Sequence, residues 1–431
     1  MANGQHEVHL NLNVRGLPVS ATLGINEKSN LLKSEGKQVY KLGLGQSPFP
    51  VPMPIVKELQ ANAHQKDYLP VKGLPALCDA VADYYRRTQD LAITGDNVLI
   101  GPGSKELMFI LQLVYYGDLV IPTPSWVSYA PQAHIIGRHV RWLKTEECNN
   151  WLLTPEELDR LCHADPTKPR IVILNYPNNP TGCSYSAEQL KALAEVARKY
   201  KIILLSDEIY GELNFQGNHQ SIARYYPEGT IIASGLSKWA GAGGWRLGTF
   251  AFPSTLAWLR DSMAVVASET FTATSAPIQY AAISAFRGGV ELERYLVCSR
   301  KILKGLAEWI WATLTAAGVT VAKPDGAFYM FPDFEPLRAA LRSKGISSGE
   351  DLCQKLLDET GVAILPGSSF GRPESELTAR MAFVDFDGAR ALAAVEQMSG
   401  DQQIDEAFLR EYCGKVMTSI DLLTDWLKAD S

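Results

Sequence analysis

The sequence lacks the marks of several protein classes. Lys plus Arg number 41 against 47 Asp plus Glu, a net charge of −6 over 431 residues, and no basic run occurs. There is thus no electrostatic footprint for nucleic acid or an anionic membrane. No apolar run approaches the roughly 18 residues of a membrane span. The opening residues 1–7 show neither the basic nor the apolar region of a secretion signal. The seven cysteines, at 78, 148, 162, 183, 298, 353 and 413, are scattered and never form C-x-x-C, which argues against a disulfide framework or a zinc site. The Asn179-Pro180-Thr181 string carries the proline that blocks glycosylation. Repeats and low-complexity linkers are also missing. These absences lead us to expect a cytoplasmic protein with no metal and no nucleic-acid or membrane partner.

What is present is an alternation. Short β-branched runs at 98–100, 118–121, 170–174, 202–205 and 230–233 are separated by longer amphipathic stretches, the pattern of an α/β domain around a mostly parallel sheet with flanking helices. Between 186 and 200, Leu190, Leu193, Ala194, Ala197 and Tyr200 share one helical face, with Ser186 as N-cap. Beyond Thr320 shorter strands (327–331 and 379–383) mix with helices, which predicts a smaller α+β domain. The expected division is 74–315 for the large domain, and 15–73 with 316–431 for the small one. In the tail, Ile404, Phe408, Tyr412, Val416, Ile420, Leu423 and Leu427 predict one amphipathic helix over 402–428.

Ligands of open α/β sheets sit outside the carboxyl ends of the strands, and each run here is followed at once by polar or special residues. After Ile100 comes Gly101-Pro102-Gly103-Ser104-Lys105-Glu106, a helix start able to cradle an anion. Ile121 leads to Trp126, Leu174 to the Asn- and Pro-rich loop 175–182, Leu205 to Ser206-Asp207-Glu208-Ile209-Tyr210, and Ala233 to Ser237, Lys238 and Arg246. Singly, such residues are usually caps, loops or solvated charges. Together they bring an anion cradle, an aromatic plate, amide donors, a carboxylate and an amine to one crevice. That inventory suits a planar, phosphorylated, electrophilic cofactor.

The strings at 176–182 (Y-P-N-N-P-T-G), 206–210 (S-D-E-I-Y) and 237–248 (S-K-W-A-G-A-G-G-W-R-L-G) resemble the signature of the fold type I, class I/II pyridoxal-phosphate aminotransferases. Tyr68 with Gly73, the P-S-W-V-S-Y string at 124–129, G-A-F-Y at 326–329, and Pro366-Gly367 followed by Arg380 extend the likeness over about residues 15–395. The pattern looks closer to the bacterial-type aspartate and prephenate enzymes than to the animal type. The resemblance implies a homodimer with a shared active site and pyridoxal 5'-phosphate as cofactor. It implies ping-pong exchange, through pyridoxamine phosphate, between an L-amino acid (aspartate or aromatic) and a 2-oxo acid such as 2-oxoglutarate.

The resemblance also implies roles. Lys238 would carry the cofactor and act as general base, and Asp207 would pair with the pyridinium nitrogen. Tyr210 and Asn179 would bond the ring oxygen, and Trp126 would stack on the ring. Ser104, Lys105, Ser237, Arg246 and, from the other subunit, Tyr68 would hold the phosphate. Arg380 would grip the substrate carboxylate, helped by Asn179 and the backbone of Gly45, with Trp126 beside it.

Two departures stand out: Gly235 replaces a phosphate-binding hydroxyl common three residues before the lysine, and no arginine occurs in 268–279, where the animal-type enzymes bind a distal carboxylate. A serine hydrolase is excluded because no histidine follows Gly367-Ser368-Ser369-Phe370-Gly371. The dinucleotide fingerprint fails at Arg246 and at Glu106, and Walker A is absent. A lyase of the same fold (aminocyclopropane-carboxylate synthase or cystathionine β-lyase type) and a non-catalytic aminotransferase-like regulator remain as alternatives.

Overall fold

The computed structural model describes residues 9–17, 19–398 and 402–429; residues 1–7, on which the expectation of no secretion signal rests, lie outside that range. Among the described residues the strands are β1 (Tyr40–Lys41), β2 (Val98–Gly101), β3 (Asp118–Thr123), β4 (Val140–Lys144), β5 (Arg170–Asn175), β6 (Ile203–Asp207), β7 (Thr230–Gly235), β8 (Gly248–Ala251), β9 (Tyr329–Met330), β10 (Val362–Ala363), β11 (Leu365–Pro366) and β12 (Ala379–Ala382). Seven of them form the main sheet in the order β2-β8-β7-β6-β5-β3-β4. Pairing is parallel from β4 through β7, whereas β8 runs antiparallel between β7 and β2. The carboxyl ends of β2, β3, β5, β6 and β7 therefore share one edge. β1 and β10 form a separate pair, and β9, β11 and β12 a small antiparallel sheet.

The β-branched runs became strands because both sheet faces are covered, which favours continuous apolar stretches over alternation. Side chains simply divide between the faces: Ile171, Leu205 and Ile231 pack with Leu107 and Leu111 of helix Ser104–Val114 on one side. Val172, Leu174 and Leu204 pack with Leu190 and Leu193 of helix Ala187–Lys199 on the other. Each such buried side chain contributes roughly 1.5–3 kcal/mol. Ser186 caps that second helix as its sequence suggests, accepting from Gln189 N while the Gln189 side chain returns to the Ser186 N–H.

The tail is two helices rather than one. Asp405 caps Glu406–Tyr412 through the Phe408 N–H, and a second helix, Gly414–Lys428, begins after Cys413 leaves helical geometry (φ −119°, ψ 19°). Val416, Ile420, Leu423 and Leu427 are buried as the stripe implies. A period-four stripe reports which face is buried, and a single non-helical residue before a glycine breaks the helix without interrupting that face. Among the described residues no helix is long and apolar enough to cross a membrane.

Candidate active site

Along the shared strand edge lies a cavity of about 430 Å³, within the ordinary range for small-molecule sites. Sheet register builds its floor. Asn175 at the end of β5 pairs with Asp207 at the end of β6, and Asp207 with Ala233 of β7. The Asn175 side chain also donates to Asp207 O at 2.8 Å, and its Oδ1 accepts the Asn179 N–H at 2.7 Å. The loop after β5 is thereby tied to the end of β6.

Asp207 is buried and lines the cavity. Its carboxylate accepts from Tyr129 Oη at 2.5 Å and from the Ile209 N–H at 3.3 Å. Burial outweighs these two donors and lifts its pKa to about 6, with the charge of Glu208 adding to the rise. Lys238, three residues past β7, donates to the Gly45 carbonyl at 2.9 Å. Burial and then the charge of Arg380 pull its amine down to about 8, while Asp207 opposes them. An amine so placed loses its proton far more readily than an ordinary lysine.

One end of the cavity is lined by Ser104 and Lys105 at a helix N-terminus, with Ser237 and Arg246. Arg246 adopts a left-handed backbone (φ 55°, ψ 51°), and its guanidinium donates to Gly243 O and Pro102 O. Such a conformation is uncommon in a non-glycine residue. Burial, then the charge of Arg246, lowers the Lys105 ammonium; its Nζ lies 5.0 Å from the centre of the Trp126 ring. The missing hydroxyl at Gly235 has a steric reason. A Cβ there would lie 2.5 Å from Leu247 O in the chain leading into β8.

Arg380 projects from β12 and is 1% exposed. Its guanidinium carbon lies over the rings of Tyr329 and Phe370, at 5.0 and 4.9 Å from their centres. It donates to Asn179 Oδ1 at 3.3 Å and to Gly43 O, and its buried Nε has no partner. Gly45, expected beside the carboxylate grip, lines the cavity, and its carbonyl receives Lys238 instead. Tyr210 and Asn179 also line the cavity, although Tyr210 Oη pairs with Tyr329 Oη at 2.8 Å and Asn179 with Arg380. Tyr68 stands apart: it is 91% exposed and does not reach its own chain's cavity.

Sequence reasoning passed over the roles of Tyr129 and Tyr329 and the cavity positions of Gln46 and Asn175. All but Gln46 lay inside quoted strings, so the signal was proximity to a recognised motif.

A family model, aminotransferase class I and II, matches residues 37–394. The chain is 36% identical to an aspartate aminotransferase of Geobacillus stearothermophilus over 84% of its own length and 92% of that protein's. It is 30% identical to an aspartate/prephenate aminotransferase of Thermus thermophilus, over 84% and 91%. The solved structure of aspartate aminotransferase from Thermus thermophilus with maleate superposes with a TM-score of 0.82 at 25% identity, covering 97% of this chain and 100% of that one. A mostly parallel sheet with Asp207 at the end of one strand and Lys238 just past the next, together with likeness over nearly the whole length, places the chain in aminotransferase class I and II, as a pyridoxal-phosphate-dependent aminotransferase.

Proposed function

We propose that this enzyme moves the α-amino group of a dicarboxylic L-amino acid, aspartate first, to a 2-oxo acid such as 2-oxoglutarate. The observation that carries the reading is the placement of Lys238. Its amine lies in a cavity with Asp207, close enough to Arg380 and Arg246 for both guanidinium charges to act on it. The residues fit the cofactor. Asp207 is a buried acid whose side-chain partners are two neutral donors, so a cationic ring nitrogen is the chemistry it lacks. At the opposite end, cationic side chains and a helix N-terminus suit a phosphate.

When bound, pyridoxal phosphate supplies a carbonyl carbon for amine exchange and an electron-withdrawing ring. Lys238 would hold it covalently, and its Nζ, when free, would take and return the α-proton. Asp207 would keep the ring nitrogen protonated. Tyr210 and Asn179 would hydrogen-bond the ring oxygen, with Trp126 in the same lining. Ser104, Lys105, Ser237 and Arg246 would hold the phosphate. Arg380, steadied by two aromatic rings, orients the substrate's α-carboxylate beside Asn179, near the Gly45 backbone and Trp126. Donor and acceptor use the site in turn.

The same reading makes the active unit a homodimer, with the exposed Tyr68 reaching the neighbouring subunit's phosphate. It assigns residues 74–315 to the cofactor domain, and 15–73 with 316–431 to the smaller one. The free cysteines accord with a cytoplasmic setting. Cationic lining and the aspartate enzymes among the relatives support an acidic donor. The absence of arginine from 268–279 favours an aromatic donor as the second reading.

Borohydride reduction of the holoenzyme, followed by peptide mass spectrometry, should place the pyridoxyl adduct on Lys238; an adduct on another lysine would overturn the assignment. Initial rates over the amino acids with 2-oxoglutarate, pyruvate and oxaloacetate should rank aspartate first. A higher rate with phenylalanine or tyrosine would install the second reading.

A further inference from the structure

The G-A-F-Y string ends in a residue whose ring has been placed on Arg380 but whose hydroxyl none of these roles uses. Tyr329, in β9, is 1% exposed and lies outside the cavity lining. It nonetheless touches three parts of the site. Its hydroxyl is 2.8 Å from that of Tyr210. The Arg380 guanidinium carbon lies over its ring, 5.0 Å from the centre. Its oxygen sits so close to Gly45 that a Cβ there would collide with it, and the Gly45 carbonyl is the one that receives Lys238.

We propose that Tyr329 is a positioning residue: its hydroxyl donates to Tyr210 Oη, which leaves Tyr210's own proton free to point into the cavity. The inference deepens the functional reading above and rests on Tyr210 facing the cofactor's ring oxygen.

A phenol both donates and accepts, and a buried O–H is seldom left without an acceptor. Among the described residues Tyr329 Oη has one hydrogen-bond partner, Tyr210 Oη, so its proton has one place to go. Tyr210 lines the cavity, where a second acceptor can arrive. Charge acts in the same sense. The groups facing the pair are Arg380, Asp207 and Lys238. Burial keeps both phenols protonated and raises Tyr210 the further, while the Arg380 cation pulls against the rise in both, which leaves Tyr329 the readier donor. Successive hydrogen bonds polarise one another, so Tyr329 connects the guanidinium assigned to the substrate carboxylate with the hydroxyl assigned to the cofactor.

The test is a pH titration of the bound cofactor's visible absorbance in the holoenzyme. A donor to the ring oxygen favours its anionic form, so weakening that donor raises the titration midpoint. Tyr329→Phe keeps the ring on Arg380 and removes the hydroxyl. The midpoint should rise by roughly 0.5–1 pH unit and kcat fall about three- to tenfold, with the donor KM within about twofold. Tyr329→Leu, which also removes the ring, should raise that KM about tenfold. In a Tyr210→Phe background, Tyr329→Phe should move the midpoint no further.

An unmoved midpoint, or an undiminished shift in the Tyr210→Phe background, would overturn the proposal. If Tyr329→Phe does not fold, Gly45→Ala displaces the same hydroxyl; no rise there is equally fatal. A wild-type midpoint indifferent to Tyr210→Phe alone would instead remove Tyr210 from the cofactor, and the inference with it.

Discussion

Tyr129 Oη lies 2.5 Å from Asp207 Oδ2, with both side chains buried at the end of the sheet. Even so assisted, the carboxyl stands at about 6, above its ordinary 3.8, because burial penalises the charged form by more than the two donors return. The folded chain therefore holds this proton to a higher pH than the unfolded chain. Stability associated with it is present below about pH 4 and lost as pH rises through about 6. In the cofactor-free protein, Asp207→Asn is expected to stabilise by on the order of 3 kcal/mol at pH 8 and by little at pH 3.5. Urea unfolding at the two pH values measures this, and an equal gap at both would mean that the carboxylate charge is not its source.

Arg380→Lys should leave the fold intact and weaken the donor amino acid's kcat/KM about a hundredfold. An ammonium can neither present two parallel donors to a carboxylate nor offer a planar face to the Tyr329 and Phe370 rings. Steady-state kinetics decide the point; an unchanged specificity constant would place the carboxylate elsewhere.

Gly235→Ser introduces the hydroxyl that the family resemblance leads one to expect three residues before Lys238, yet it should not tighten cofactor binding. The new Cβ would press on Leu247 O at 2.5 Å and Gly248 Cα at 3.0 Å, both backbone atoms that cannot swing aside. A loss of roughly 2 kcal/mol is expected. Thermal melting and equilibrium dialysis with pyridoxal phosphate measure the two effects separately, and a tighter complex would show that the strand can yield.

Mixing Tyr68→Phe with Lys238→Ala tests the shared site. If Tyr68 serves the neighbouring subunit, a hybrid dimer contains one doubly damaged site and one intact one. Dissociating and reassociating the two mutants together should restore activity that neither recovers when treated alone. With hybrid formation confirmed and Tyr68→Phe itself impaired, no recovery would refute the crossing role.

The strand ends were legible because their signal is local. A β-branched run stopped by Asp207 or by Gly235 can be read in a window of about ten residues, and so can the Ser186 cap. β4 escaped notice because it is an edge strand whose Arg141, Trp142 and Lys144 are exposed, so it lacks the apolar run of its buried neighbours. β8 was hidden for a different reason, being four residues that begin on Gly248, the last residue of a glycine-rich string already read as a motif. The break at Cys413 left no trace, since the buried face continues across it.

Residue types, strand termini and the grouping of an amine, a carboxylate and an anion cradle were determined by the sequence itself, because propensity and periodicity act between near neighbours. Tertiary structure alone decided the partners of the buried polar groups. Tyr129 meets Asp207 across 78 positions, Tyr210 meets Tyr329 across 119, and Asn179 meets Arg380 across 201. Nothing in either local segment distinguishes such a tyrosine from one that merely packs. The distinction comes from packing, which removes water from both groups and leaves each polar atom to the partner that sheet register and the small sheet bring within reach.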